Sequence, residues 1–164
     1  MTVTDELLGN NEQYAQGFDK AELAKQPARK LAVVACMDAR LNVYGVLGLE
    51  EGDAHVIRNP GGLVNEAEIR ALAISQRLLG TEEIILIQHT NCGVQGFVDE
   101  DFKQQLAEEV GTEPTWGSSA FADLDESLRK SIALIKESPF IPHKQSVRGF
   151  VFDVKTGSLR EAEA

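Results

Sequence analysis

Two short stretches of this 164-residue chain, LAVVACMDAR (31–40) and IILIQHTNCG (84–93), hold residue types that can do chemistry. They contain the only two cysteines, Cys36 and Cys92, together with Asp38, Arg40 and His89. Two thiolates and an imidazole suit zinc, which takes sulfur at about 2.3 Å and nitrogen at about 2.0–2.1 Å in tetrahedral geometry. Three protein ligands leave one position for water, the pattern of a catalytic rather than a structural zinc, and water there ionises near neutral pH. Taken singly, each residue has a plainer reading. A buried cysteine is ordinarily a small apolar side chain, and a histidine ending a strand ordinarily bonds to backbone. It is their joint placement that points to a metal.

The elements that must position these residues are legible from apolar patterning. Residues 30–36, 54–59, 82–89 and 146–154 are short and rich in branched apolar side chains, and each reads as a strand. The first and third are continuously apolar, as in parallel strands covered on both faces. Residues 65–80 read as a helix with Asn65 as N-cap and Gly80 as C-cap, and 99–111 and 123–139 repeat that pattern, closed by Gly111 and Pro139. The alternation predicts an α/β fold, a mostly parallel central sheet with helices on both faces. Ligands in such sheets gather beyond the carboxyl ends of the strands, where Cys36 and His89 lie. If the first and third strands are neighbours, both cysteines and the histidine meet at one edge. Residues 1 to about 18 also read as a helical arm, with a weak stripe of Leu7, Leu8 and Tyr14, followed by a polar connector. The expectation is a single domain over 1–164, with 1–29 an arm and connector that packs on a neighbouring subunit.

A net charge of -10 and pI near 4.8, with no basic run, argue against nucleic acid and anionic membranes as partners. The start MTVTDELLGNNEQY has no secretory pattern, and no apolar stretch approaches the roughly 20 residues of a membrane helix. A cytoplasmic location is therefore expected, and with it reduced cysteines rather than a disulfide.

The segments VVACMDARL, HVIRNPGGLV and IQHTNCGV, in this order, resemble the β-class carbonic anhydrases, especially the short single-domain members. The resemblance extends from about Lys30 to VRGFVFDVKTGSL. It implies that Cys36, His89 and Cys92 hold one Zn2+ per subunit, and that Asp38 and Arg40 are the family's aspartate–arginine pair. In that pair Asp38 orients the nucleophile and Arg40 restrains Asp38, which would otherwise serve as a fourth ligand and close the site. Gly61 and Gly62 are candidates for contacting an anion such as bicarbonate through backbone N–H groups, or for a tight turn needing positive φ. Pro60 stands where family members more often carry alanine. His55 and His143 read as surface or packing residues, and Gln88, Asn91 and Tyr44 as candidates to line the pocket.

The activity so implied is attack of zinc-activated water on a small linear gas, with reversible hydration of carbon dioxide to bicarbonate as the first choice. Hydrolysis of carbonyl sulfide or carbon disulfide at the same zinc is the alternative. A non-catalytic zinc-binding protein, with Asp38 locked on the metal, is a third reading. The resemblance and the arm suggest a homodimer or homotetramer.

Overall fold

The protein is described by a computed structural model covering residues 2–117 and 120–162. Its strands are β1 (Leu31–Cys36), β2 (Ala54–Asn59), β3 (Glu83–His89), β4 (Val147–Phe152) and β5 (Leu159–Glu161). Its helices are α1 (Val3–Gln16), α2 (Val43–Leu47), α3 (Glu66–Leu79), α4 (Asp99–Val110) and α5 (Leu124–Glu137), with a 3-10 turn at Pro60–Gly62. One sheet in the order β2-β1-β3-β4-β5 unites the strands, all parallel except β5. The α/β architecture follows from the same alternation seen in the sequence.

The continuously apolar runs are the central strands. Along β1 every residue from Ala32 to Cys36 is buried, because both faces are covered. On one face Ala32, Val34 and Leu86 pack with Leu72 of α3 and Leu128 and Ile135 of α5. On the other, Val33, Ala35 and Ile87 pack with Leu41, Val43 and Phe152.

Helices flank both faces of the sheet as expected, but their coverage is unequal. The long helices α3 and α5 share one face, while among the described residues the second receives the five-residue α2 and loops. Helix α4 begins acidic and ends at Gly111 as expected, yet none of its residues is buried. Its sequence DEDFKQQLAEEV has too few apolar residues to cover a sheet.

Helix α3 starts from a capping box between Asn65 and Glu68 and ends at Gly80 in the left-handed conformation. Helix α1 has its own capping box, Thr2 with Asp5, and no buried residue; Leu7, Leu8 and Tyr14 are exposed. It is tethered at its far end, where Tyr14 Oη and Lys20 both bond to Glu51. Among the described residues no helix is long and apolar enough to cross a membrane.

Candidate metal centre

Strand order and register bring the site together. β1 and β3 are adjacent, with Ala35 opposite Ile87, so Cys36 and His89 leave the sheet at the same carboxyl edge. Beyond His89 the chain must reverse to return Cys92 to that edge, and Asn91 does so in the left-handed region at φ 54°. Thr90 pins the turn to β4. Its N–H donates to the Phe152 carbonyl at 2.9 Å, and its hydroxyl accepts from the Val154 N–H at 3.1 Å.

The resulting group is buried, at 3% exposure for Cys36, 0% for His89 and 8% for Cys92. The ligand atoms of the three lie within 4.8 Å of one another. The two sulfurs are 3.8 Å apart. That is far beyond the roughly 2.0 Å of a disulfide. It matches the separation of about 3.8 Å that two thiolates reach at 2.3 Å from one tetrahedral ion. His89 Nδ1 lies 3.0 Å from the Thr90 carbonyl, so that nitrogen carries the proton and donates. Its Nε2, turned toward the sulfurs, has no hydrogen-bond partner among the described residues. A buried imidazole lone pair left unpaired beside two thiols is costly alone and is satisfied by a metal cation. The donor set and this orphaned nitrogen fit such an ion.

Electrostatics favour a cation at the same point. Burial pushes the Cys36 thiol up, but the His89 imidazole and the backbone N–H groups of Asp38 and Gly61 outweigh it and bring it down to about 7. Burial, with the negative charge of Cys36, pushes the Cys92 thiol up despite the Val94 N–H. Burial also opposes protonation of His89, yet Cys36, the Thr90 carbonyl and Asp38 together raise its pKa. The surroundings thus attract positive charge to Nε2.

Asp38 borders the group, its Oδ2 3.6 Å from His89 Nε2. Arg40 holds both carboxylate oxygens: its backbone N–H and Nε donate to Oδ1 at 2.9 Å each, and Nη2 donates to Oδ2 at 2.8 Å. This fork keeps the Asp38 carboxyl well below the usual carboxylate range. Arg40 Nη2 also donates to the Asn91 carbonyl at 2.9 Å, tying the turn after β1 to the turn after β3.

Gly61 and Gly62 lie in the 3-10 turn, both with positive φ. The Gly61 N–H faces the Cys36 sulfur. The amino end of α3 is closed separately by Asn65 and Glu68. Asn91 joins the site through its carbonyl, whereas Gln88 points the opposite way and donates to Ser127 Oγ at 2.9 Å. Tyr44 lies on α2, 40% exposed. His55 contacts Ser75 Oγ at 2.8 Å, and the His143 backbone pairs with Gln76, so neither joins the metal group.

Two features were not anticipated from the sequence. Arg58, near the end of β2, donates to the carbonyls of Cys36 and Asp38. The only signal was a charge next to the last residue of the strand AHVIRN. The other is an apolar cleft of about 420 Å3 lined by Met37, Pro60, Val94, Phe97, Phe102 and Trp116. Three of these are chain neighbours or near neighbours of Cys36, Gly61 and Cys92.

Fold and site together define an α/β protein with a Cys-His-Cys group that could hold a metal at the carboxyl edge of its sheet. The family profile described as carbonic anhydrase matches residues 31–159. The chain belongs to the β-carbonic anhydrase family and is an enzyme of that type. It is 54% identical over 161 residues to Beta-carbonic anhydrase 1 of Mycobacterium tuberculosis, covering 98% of each chain. It is 30% identical over 181 residues to a carbon disulfide hydrolase of Acidithiobacillus thiooxidans, covering 98% of this chain and 90% of that one. The crystal structure of a carbonic anhydrase from Streptococcus mutans superposes with a TM-score of 0.93 at 40% identity, covering 99% of both chains.

Proposed function

We propose that this chain catalyses the reversible hydration of carbon dioxide to bicarbonate, with one zinc ion held by Cys36, His89 and Cys92. The observation that carries this reading is the unpaired Nε2 of His89 facing two thiols, beside a carboxylate held by Arg40. Zinc held there supplies the Lewis acidity that makes water a nucleophile near neutral pH. Asp38, ionised at any physiological pH, acts only as an acceptor; it takes a hydrogen bond from the attacking water and fixes which lone pair faces the substrate. Arg40 keeps Asp38 in that post and out of the metal group. A purely structural zinc protein has no need of this restraint. The apolar cleft, lined by Met37, Pro60 and Val94 close in sequence to Cys36, Gly61 and Cys92, suits an uncharged linear gas.

Carbon disulfide hydrolysis is the second reading, favoured by the 30% identity to enzymes of that name. The 54% identity to Beta-carbonic anhydrase 1 weighs more. Steady-state assays of one metal-quantified preparation with carbon dioxide, carbonyl sulfide and carbon disulfide decide between them. We expect one zinc per chain and the highest kcat/KM for carbon dioxide. Asp38→Ala should retain the metal and lose about tenfold to a hundredfold in kcat. Faster turnover of a sulfur gas overturns the substrate assignment, and unaltered kcat in Asp38→Ala overturns the orienting role.

The exposed stripe Leu7, Leu8 and Tyr14 on α1, a helix that buries nothing in its own chain, supports a homodimer or larger homo-oligomer. Deleting residues 1–17 should lower the mass seen by light scattering; an unchanged oligomer excludes α1 from the interface.

A further inference from the structure

We infer that Arg58 is a positioning residue for the metal centre, a guanidinium clamp that sets the backbone between the Cys36 thiol and the Asp38 carboxylate. The inference rests on the reading of the site given above. Arg58 stands near the end of β2, opposite Ala35 in the parallel ladder, and so reaches the point where β1 leaves the sheet. Its Nε donates to the Cys36 carbonyl at 3.0 Å and its Nη2 to the same oxygen at 2.7 Å. The same Nη2 donates to the Asp38 carbonyl at 2.7 Å. One planar group thereby fixes two carbonyls on either side of Met37.

Those carbonyls belong to the peptides that aim the chemistry. The Asp38 N–H faces the Cys36 sulfur, so this residue serves the thiol through its N–H and Arg58 through its C=O. The Asp38 carbonyl also accepts the Leu41 N–H at 3.0 Å, closing the turn from which Arg40 projects back onto the Asp38 carboxylate. Met37 N–H donates to the Asn59 carbonyl at 2.9 Å, so β2 grips the turn through two consecutive residues, Arg58 and Asn59. Loss of the clamp frees both peptides, and with them the turn that carries the thiol and the carboxylate. Arginine is the residue suited to this task, because its rigid fork meets two acceptors at once where the lysine ammonium is a point charge on a flexible stem. Misplacing catalytic groups by about 1 Å costs up to a hundredfold in rate.

The test compares wild-type protein with Arg58→Met, which keeps much of the side chain's length and removes its donors, and Arg58→Lys. Four readouts are taken: kcat and KM for carbon dioxide, the visible spectrum of the Co2+-substituted protein, and amide exchange across residues 37–41 and across the β3 and α5 core. For Arg58→Met we expect kcat to fall about tenfold or more with KM within about twofold. The Co2+ spectrum should change, and exchange at 37–41 should quicken while the core stays protected. Arg58→Lys should fall between. Wild-type kcat and spectrum in both variants overturn the inference, as does faster exchange spread over the whole core with kcat of the folded fraction unchanged. Should Arg58→Met fail to fold, Arg58→Lys decides by the same measures, and wild-type behaviour overturns. Wild-type protein that holds no stoichiometric metal and hydrates no carbon dioxide sinks the site reading and this inference with it; an active wild type with unresponsive Arg58 variants sinks this inference alone.

Discussion

Cys92→Ser will leave a folded protein that no longer retains stoichiometric zinc and hydrates carbon dioxide at least about a thousandfold more slowly. Serine is nearly isosteric with cysteine, so the small apolar surroundings of residue 92 are little disturbed. What is lost is a ligand that ionises on meeting a metal, since a hydroxyl keeps its proton where a thiol gives it up. Cys36 and His89 then remain as a two-donor fragment, with sulfur and imidazole still anchored by β1 and β3. The measurement is zinc content after gel filtration alongside stopped-flow hydration, with circular dichroism to show an intact fold. Full zinc occupancy and undiminished turnover would remove Cys92 from the ligand set. His89→Ala should match it in activity, and because it opens a hole in a fully buried position it should also lower stability by about 2–4 kcal/mol.

The second large effect concerns a residue with no side chain. A Cβ added to Gly62 would lie 2.6 Å from the Ile87 carbonyl oxygen and 2.8 Å from the Cys36 amide nitrogen. Both are backbone atoms of the central strands β3 and β1, so neither can swing aside as a flexible side chain would. The residue also sits at φ +63°, which costs an alanine about 1–2 kcal/mol. Together these make Gly62→Ala destabilising by at least about 3 kcal/mol, with the strain delivered to the two strands that end in Cys36 and His89. Chemical denaturation of the metal-free protein checks this, and a change below about 1 kcal/mol would show that the turn can shift. Gly61→Ala is the milder comparison, because its Cβ would meet side chains of Phe121, Val94 and Leu63 at 3.1–3.3 Å.

The contrast between these residues shows where the sequence was informative. Cys36, His89 and Cys92 announced themselves by type and by ending apolar runs, and the structure brings them within ligand reach. Asp38 and Arg40 were adjacent enough for their pairing to be local, and they form a fork. The Gly-Gly pair was visible as a turn, but its close approach to two strands was not. Arg58 was missed because its partners are backbone carbonyls of another strand, and a carbonyl has no letter in the sequence. Strand β5 and helix α2 escaped for a different reason: at three and five residues neither is long enough to show a period. Helix α4 was legible as a helix, but not the surface it meets. Its periodicity and caps are local properties, while the surface it meets is not.

The chain alone determined the donor chemistry: two thiols and an imidazole at fixed separations, a carboxylate with its guanidinium two residues on, and apolar runs that must become central parallel strands. These are covalent facts and short-range preferences, so they survive in any local reading. Only the tertiary structure decided that β1 lies beside β3 with Ala35 opposite Ile87, that Asn91 turns the chain back, and that the sulfurs stop 3.8 Å apart. Strand pairing is a competition among distant segments for the same backbone donors and the same buried surface. Its outcome is a property of the whole core, and the geometry of the Cys-His-Cys group is inherited from it.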